Sequence, residues 1–193
     1  FDPYLAGQSD PFPGGAQPGS LTVQNALIVG QDQPATLRLA GPGVLQTGSV
    51  ALGDPHDNSG DFSSGLGGGN AFLEVHGAST IFQNNGNTQI GGDGPGELHV
   101  HSGASYTTNF TGLAHQPGSE AYVTVSGPNT TYTGSLYYVV GIQGSSFVSV
   151  TNGAEMIVDG LSIGEQSGAV GTVNVSGGAQ LTTTNYLGIG NGD

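Results

Sequence analysis

Short alternating elements recur along this chain at a fixed spacing, and that period limits the folds open to it more than any other feature. The first apolar residues of five elements are Leu73, Leu98, Val123, Val148 and Val173, each 25 positions after the one before. The second are Val75, Val100, Val125, Val150 and Val175, on the same step. Leu37 and Leu39 form an earlier copy, 36 positions ahead of the Leu73 element, so 11 residues are inserted between the two. Leu21 and Val23 open a shortened copy before that. A fixed period in this range marks a repeat architecture. Alternation at period two within each element argues for strands, and the Gly that follows each strand argues for turns.

Twenty-five residues per copy suits about three short strands with turns. Copies stacked at ~4.8 Å would make six coils into a rod of about 30 Å. The expected fold is all-β: a right-handed parallel β-solenoid, or β-helix, of about 25 residues per coil and roughly six to seven coils. The handedness follows from the strong bias of β-crossover-β connections. Three inward columns are expected: Leu37/Leu73/Leu98/Val123/Val148/Val173, Leu39/Val75/Val100/Val125/Val150/Val175, and Val29/Leu52/Ile90/Val140/Ile163/Ile189. Each member of the third is followed by Gly, which suits a corner with positive φ. The rival β-sandwich does not require a strict period.

Residues 1–20 hold four of the ten prolines and do not alternate, so they read as an N-terminal arm, and 21–193 as the solenoid. Phe1, Tyr4, Leu5 and Phe12 are its apolar anchors. Residues 54–69 are the insertion, which in a solenoid loops out on one face. Residues 97–119 read as a degenerate coil, because the expected L-x-I-G is missing. The chain begins at Phe1 rather than Met and ends just after an L-x-I-G element, so a processed or excised part of a longer polypeptide is expected.

Composition narrows the function. Charged residues are 8%, with 14 acids against a single base, Arg38, for a net charge of −13; an ordinary soluble domain carries roughly 25%. Such a surface repels phosphate backbones and anionic lipid, which argues against nucleic acid and membrane surfaces as partners. No apolar run approaches the ~20 residues of a membrane helix. Cysteine is absent, so stability rests on backbone ladders and stacked apolar columns.

Two clusters could bind metal. The insertion carries Asp54, Asp57, Asn58 and Asp61, hard oxygen donors that suit calcium; the plainer reading is a solvated acidic loop. The period also places Glu74, His76, His99 and His101 as a two-by-two outward patch. Clustered imidazoles suit a transition metal, and the plainer reading is a short ladder of charges with Arg38. No other cofactor is implied. An enzyme is not expected: lyases acting on uronates need basic groups, and hydrolases need two carboxylates across a cleft, whereas Glu97, Glu120, Glu155 and Glu165 are scattered.

The unit G-x-V-x-V-x-G-x-A-x-L followed by L-x-I-G-x-x-G, over roughly residues 21–190, resembles the repeats in passenger regions of bacterial autotransporter-like and related surface-anchored secreted proteins. The resemblance implies an extracellular or bacterial cell-surface location and a structural or adhesive role without catalysis in the repeats. The expected function is thus a secreted structural protein that forms or extends a surface fibre, sheath or appendage, its partner being a second copy added head to tail. The alternative is an adhesin module for a ligand or an extracellular glycan, with Tyr106, Tyr132, Tyr137, Tyr138 and Tyr186 as candidate stacking rings.

Overall fold

The computed structural model describes residues 19–31, 33–53 and 69–190. It is a parallel β-solenoid with no helix among those residues. A six-stranded sheet is formed by β2 (Ala35–Ala40), β4 (Ala71–His76), β7 (Gly96–His101), β10 (Glu120–Ser126), β12 (Ser145–Thr151) and β14 (Val170–Val175), stacked in that order. The opposing nine-stranded sheet contains β1 (Gly19–Val29), β3 (Gly43–Leu52), β5 (Thr80–Asn84), β6 (Thr88–Ile90), β8 (Ser105–Thr108), β9 (Thr111–Leu113), β11 (Thr131–Val140), β13 (Glu155–Ile163) and β15 (Gln180–Ile189). The N-terminal arm to residue 18, the insertion from 54 to 68 and the calcium candidates Asp54, Asp57, Asn58 and Asp61 lie outside the described residues.

Each x-V-x-V element is one strand of the six-stranded sheet. Its register is that of the period: Leu37 pairs with Leu73, Leu73 with Leu98, Leu98 with Val123, Val123 with Val148, and Val148 with Val173. The Leu39-to-Val175 column follows two positions on. Both run through the core, where Leu73, Leu98, Val123, Val75, Val100, Val125 and Val150 are fully buried.

Two coils contain three strands, as expected, but in four others the second and third merge into one long strand, namely β3, β11, β13 or β15. Register shifts between Gly134 and Tyr137, and between Val158 and Gly160, absorb the bend that would otherwise break these strands. Such bulges bend a strand while keeping it in the sheet. The stretch around Leu21 and Val23 is a half-coil rather than a shortened copy of the x-V-x-V element. It pairs with β3 in the nine-stranded sheet, Leu21 against Leu45.

The third column also stacks, Val29 against Leu52, Leu52 against Ile90, Val140 against Ile163, and Ile163 against Ile189. The coil that lacks L-x-I-G fills the gap with Leu113, opposite Ile90. Ala114 then takes the corner glycine's place at φ 53°, so this coil is regular in structure although divergent in sequence. At the other corners Gly30, Gly53, Gly91, Gly141, Gly164 and Gly190 have φ between 67° and 79°. There an amide donates to the coil before it, as Gly91 N–H does to the Leu52 carbonyl at 2.9 Å.

Inside the nine-stranded sheet lies a column the period did not announce: Leu45, Phe82, Tyr106, Tyr132, Met156 and Leu181. Phe82 and Tyr106 stack at 4.8 Å, and Tyr106 and Tyr132 at 5.1 Å with planes 12° apart. Their buried hydroxyls need partners. Tyr106 finds the Thr88 hydroxyl at 2.8 Å and Tyr132 the Thr111 hydroxyl at 2.6 Å. Thr88 also meets Thr108 at 2.9 Å, and the Asn84 amide donates to both threonines. The core here is an aromatic stack beside a closed hydroxyl cluster, and burial holds both phenols well above their usual titration range.

Two outcomes test this register. Val150→Asp puts an unpaired charge into a closed column and is expected to cost about 4 kcal/mol, whereas Ser149→Asp, on the outward side of the same strand, should stay within about 0.5 kcal/mol. Urea melts that rank them the other way would move the strand one residue out of register. Gly91→Ala should cost about 2 kcal/mol or more, because a left-handed conformation is costly for an L-residue and the new Cβ meets the Glu120 carbonyl oxygen. Gly190→Ala, with nothing within 4 Å of the new methyl, should cost only the conformational part; equal losses at the two sites would remove the corner argument.

Candidate functional site

Strand alternation turns every second side chain of the six-stranded sheet outward, and the parallel register lines these up in columns. One column runs Arg38, Glu74, His99, Thr124, Ser149, Asn174, and the next Ala40, His76, His101, Ser126, Thr151. The predicted patch of Glu74, His76, His99 and His101 therefore forms as four neighbours on β4 and β7.

Its contacts are specific. Arg38 Nε donates to Glu74 Oε2 at 2.9 Å, and His101 Nε2 donates to Glu74 Oε1 at 2.9 Å. With Nε2 so engaged, His101 Nδ1 faces Ser102 Oγ at 2.9 Å. The His76 ring meets His101 edge-on at 5.0 Å, and His99 meets Phe72 edge-on at 4.8 Å. His99 Nε2 is 3.5 Å from a Glu97 oxygen. The Glu74 carboxylate is thus shared between a guanidinium and an imidazole. Among the described residues no group of three or more His, Asp or Glu side chains gathers as a metal site requires.

The electrostatics follow from these contacts. Burial works to raise the Glu74 carboxyl, but the hydrogen bond from His101 and the charges of Arg38, His101 and His76 outweigh it and hold it below its ordinary 4.5. Burial lowers His99 below 6.5, against the opposing pull of Glu97 and Glu74.

The five tyrosines singled out as stacking rings divide. Tyr106, Tyr132 and Tyr138 are buried in the core, while Tyr137 and Tyr186 are 49% and 41% exposed. These two meet edge-on at 6.3 Å on the outside of the nine-stranded sheet, and Gly160 is paired between them. A side chain at Gly160 would run into the Tyr137 ring. The sequence reading missed a second set of exposed rings. Thr36, Phe72, Glu97, Tyr122, Phe147 and Thr172 form the outward column beside Arg38 and Glu74. The same period could have found it, since it lies one position before the x-V-x-V residues already counted.

Among the described residues β14 pairs only with β12 and β15 only with β13. Leu187 and Ile189 are 56% and 70% exposed, although their counterparts one coil back, Leu161 and Ile163, are buried or half-buried. Asn109, Asn129 and Asn174 each begin an N-x-S/T triplet; the Asn109 amide is already engaged, donating to the Asn85 carbonyl at 2.7 Å, while Asn174 is exposed on the outer face.

The shared carboxylate sets a pH dependence. A group whose folded pKa is depressed contributes stability that is present above its unfolded value and is lost as pH falls through the folded one. For His99 that loss starts below 6.5, and for Glu74 below 4.5. Glu74→Gln should therefore flatten the fall in Tm below pH 4.5, and His99→Gln the fall that begins as pH drops below 6.5. Acid limbs unchanged in both variants would contradict these assignments. Comparisons with family models, with curated proteins and with solved structures find no match.

Proposed function

We propose that this chain is a secreted structural solenoid that associates end to end into a fibre, sheath or appendage at a bacterial surface, without catalysis in its repeats. The observation that carries this reading is the last described coil, β14 and β15. Among the described residues each of these strands leaves its outer edge unpaired, and the exposed inward positions Val175, Leu187 and Ile189 continue columns that are buried or half-buried one coil earlier.

The opposite end also leaves strand edges unpaired. Among the described residues β2 pairs only with β4 and β1 only with β3, both parallel. The strands at both ends are parallel and in the same sheets, so the β1 edge of a second copy can pair with the β15 edge of the first. Soluble proteins guard such edges with lysine, inward charge, proline or a cap. Here lysine is absent and the single arginine, Arg38, is taken by Glu74. Identical contacts related by translation along an axis do not close, and they generate filaments. Scarce charge and the absence of cysteine suit a static extracellular material.

Sedimentation across a concentration series, with electron microscopy of the same samples, tests this. Rod-shaped oligomers that lengthen with concentration are expected. Leu187→Lys with Ile189→Lys should hold the chain monomeric with little change in Tm, because both positions are already exposed. A monodisperse monomer at high concentration in the unsubstituted chain would overturn the proposal.

A further inference from the structure

We infer that the outer face of the six-stranded sheet binds a neutral, linear oligosaccharide, lying along the solenoid axis with Phe72, Tyr122 and Phe147 as its stacking platform. The register places all three rings in one column, with Glu97 between the first two. Tyr122 and Phe147 are 40% and 39% exposed, an uncommon use of large apolar rings on an outward strand position. Phe72 is held in place by the His99 ring edge-on against it at 4.8 Å.

The spacing favours a chain of rings over a compact ligand. One coil step is ~4.8 Å, so Tyr122 and Phe147 are one step apart and Phe72 lies two steps, about 9.6 Å, from Tyr122. In an extended β-linked glycan successive sugars are turned over, and every second one presents the same face. A two-step gap between rings is therefore of the order of that disaccharide repeat. The C–H face of a pyranose is apolar and packs on an aromatic ring, while its equatorial hydroxyls need polar partners at the sides. Those partners are present. Glu97 stands in the gap, the Tyr122 hydroxyl donates to Glu120 Oε2 at 3.2 Å, and Thr124 and Ser149 line the neighbouring column. At the Phe72 end the strip runs into a cleft of about 200 Å³ walled by Pro34, Thr36, Asn70, Pro95 and Glu97.

Charge decides which glycan. Glu74, Glu97 and Glu120 all lie on this face, the nearby cation Arg38 is bound to Glu74, and the chain carries a net charge of −13. Uronates, sulfated sugars and single-stranded nucleic acid, which would also stack on such rings, are repelled. A neutral chain meets no such penalty, and carboxylates are good acceptors for its hydroxyls.

Calorimetric titration of the whole chain with cellohexaose, xylohexaose and chitohexaose, and with an oligogalacturonate of the same length, tests the assignment. Saturable binding of at least one neutral hexasaccharide is expected, weakened about tenfold or more, roughly 1.4 kcal/mol, by Tyr122→Ala and by Phe147→Ala. Tyr122→Phe should retain the affinity, and Tyr137→Ala, on the opposite sheet, should leave it unchanged. Both ring truncations are outward, and matching far-ultraviolet spectra and Tm values would show that the coils persist. Absence of binding by all three neutral sugars, undiminished binding in both truncations, or equal binding of the oligogalacturonate would each overturn the inference. End-to-end assembly does not enter it: a monomer that binds sugar removes the filament proposal alone, and a filament indifferent to sugar removes this one alone.

Discussion

The parallel backbone ladder from coil to coil is the constraint on which the rest depends. In-register stacking sets each side chain directly against its equivalent ~4.8 Å away, so whatever occupies a position must tolerate a copy of its own kind above and below. Leucine and valine do so inside, and serine, threonine and asparagine do so outside. A repeated charge does not, because like charges directly opposite one another are destabilising. This gives a physical reason for the 8% charged content. It also suits the outward patch around Glu74, where one carboxylate is shared between the Arg38 guanidinium and the His101 ring rather than set against a like charge.

The aromatic interior follows the same logic. Flat rings stack well on a coil-to-coil step, and Phe82, Tyr106 and Tyr132 use it. Phenols bring hydroxyls into a region without water, and an unmet donor there costs about 1–3 kcal/mol. Thr88 and Thr111 meet two of them, from the short strands that follow the bend in each coil. Tyr138, packed edge-on against Tyr132 at 5.5 Å, has a buried hydroxyl without a partner among the described residues.

The six-stranded sheet was legible in the sequence almost residue by residue. Its inward positions are apolar at a strict step, and its outward positions follow from parity alone. The opposing sheet was less so, for two reasons. Asn84, Thr88, Thr108 and Thr111 face inward, where the alternation rule expects apolar residues, and only the hydrogen bonds among them make that tolerable. The bulges shift the parity of a strand partway along it, so adjacent Tyr137 and Tyr138 have opposite fates that counting does not separate. At the outward patch, sequence gave the neighbours but not the partners. Which imidazole reaches Glu74 depends on side-chain reach and orientation, and the diagonal contact with His101 rather than the direct one with His99 is a matter of geometry.

A chain of near-identical coils has a hazard that ordinary domains lack. It can thread correctly in every local respect and still be displaced by one whole repeat, with valine on valine and glycine at every corner. The Tyr106–Thr88 bond recurs one coil on as Tyr132–Thr111, but the Asn84–Thr108 part of the hydroxyl cluster does not, since Gly134 and then Val158 stand in the place of Thr108. A slip along the stack would set the Asn84 and Thr108 polar groups against Gly134 or Val158, which offer their side chains no hydrogen-bond partner. The cluster thus acts as a key cut into one point of an otherwise uniform stack, giving the chain a unique origin from which its coils are numbered.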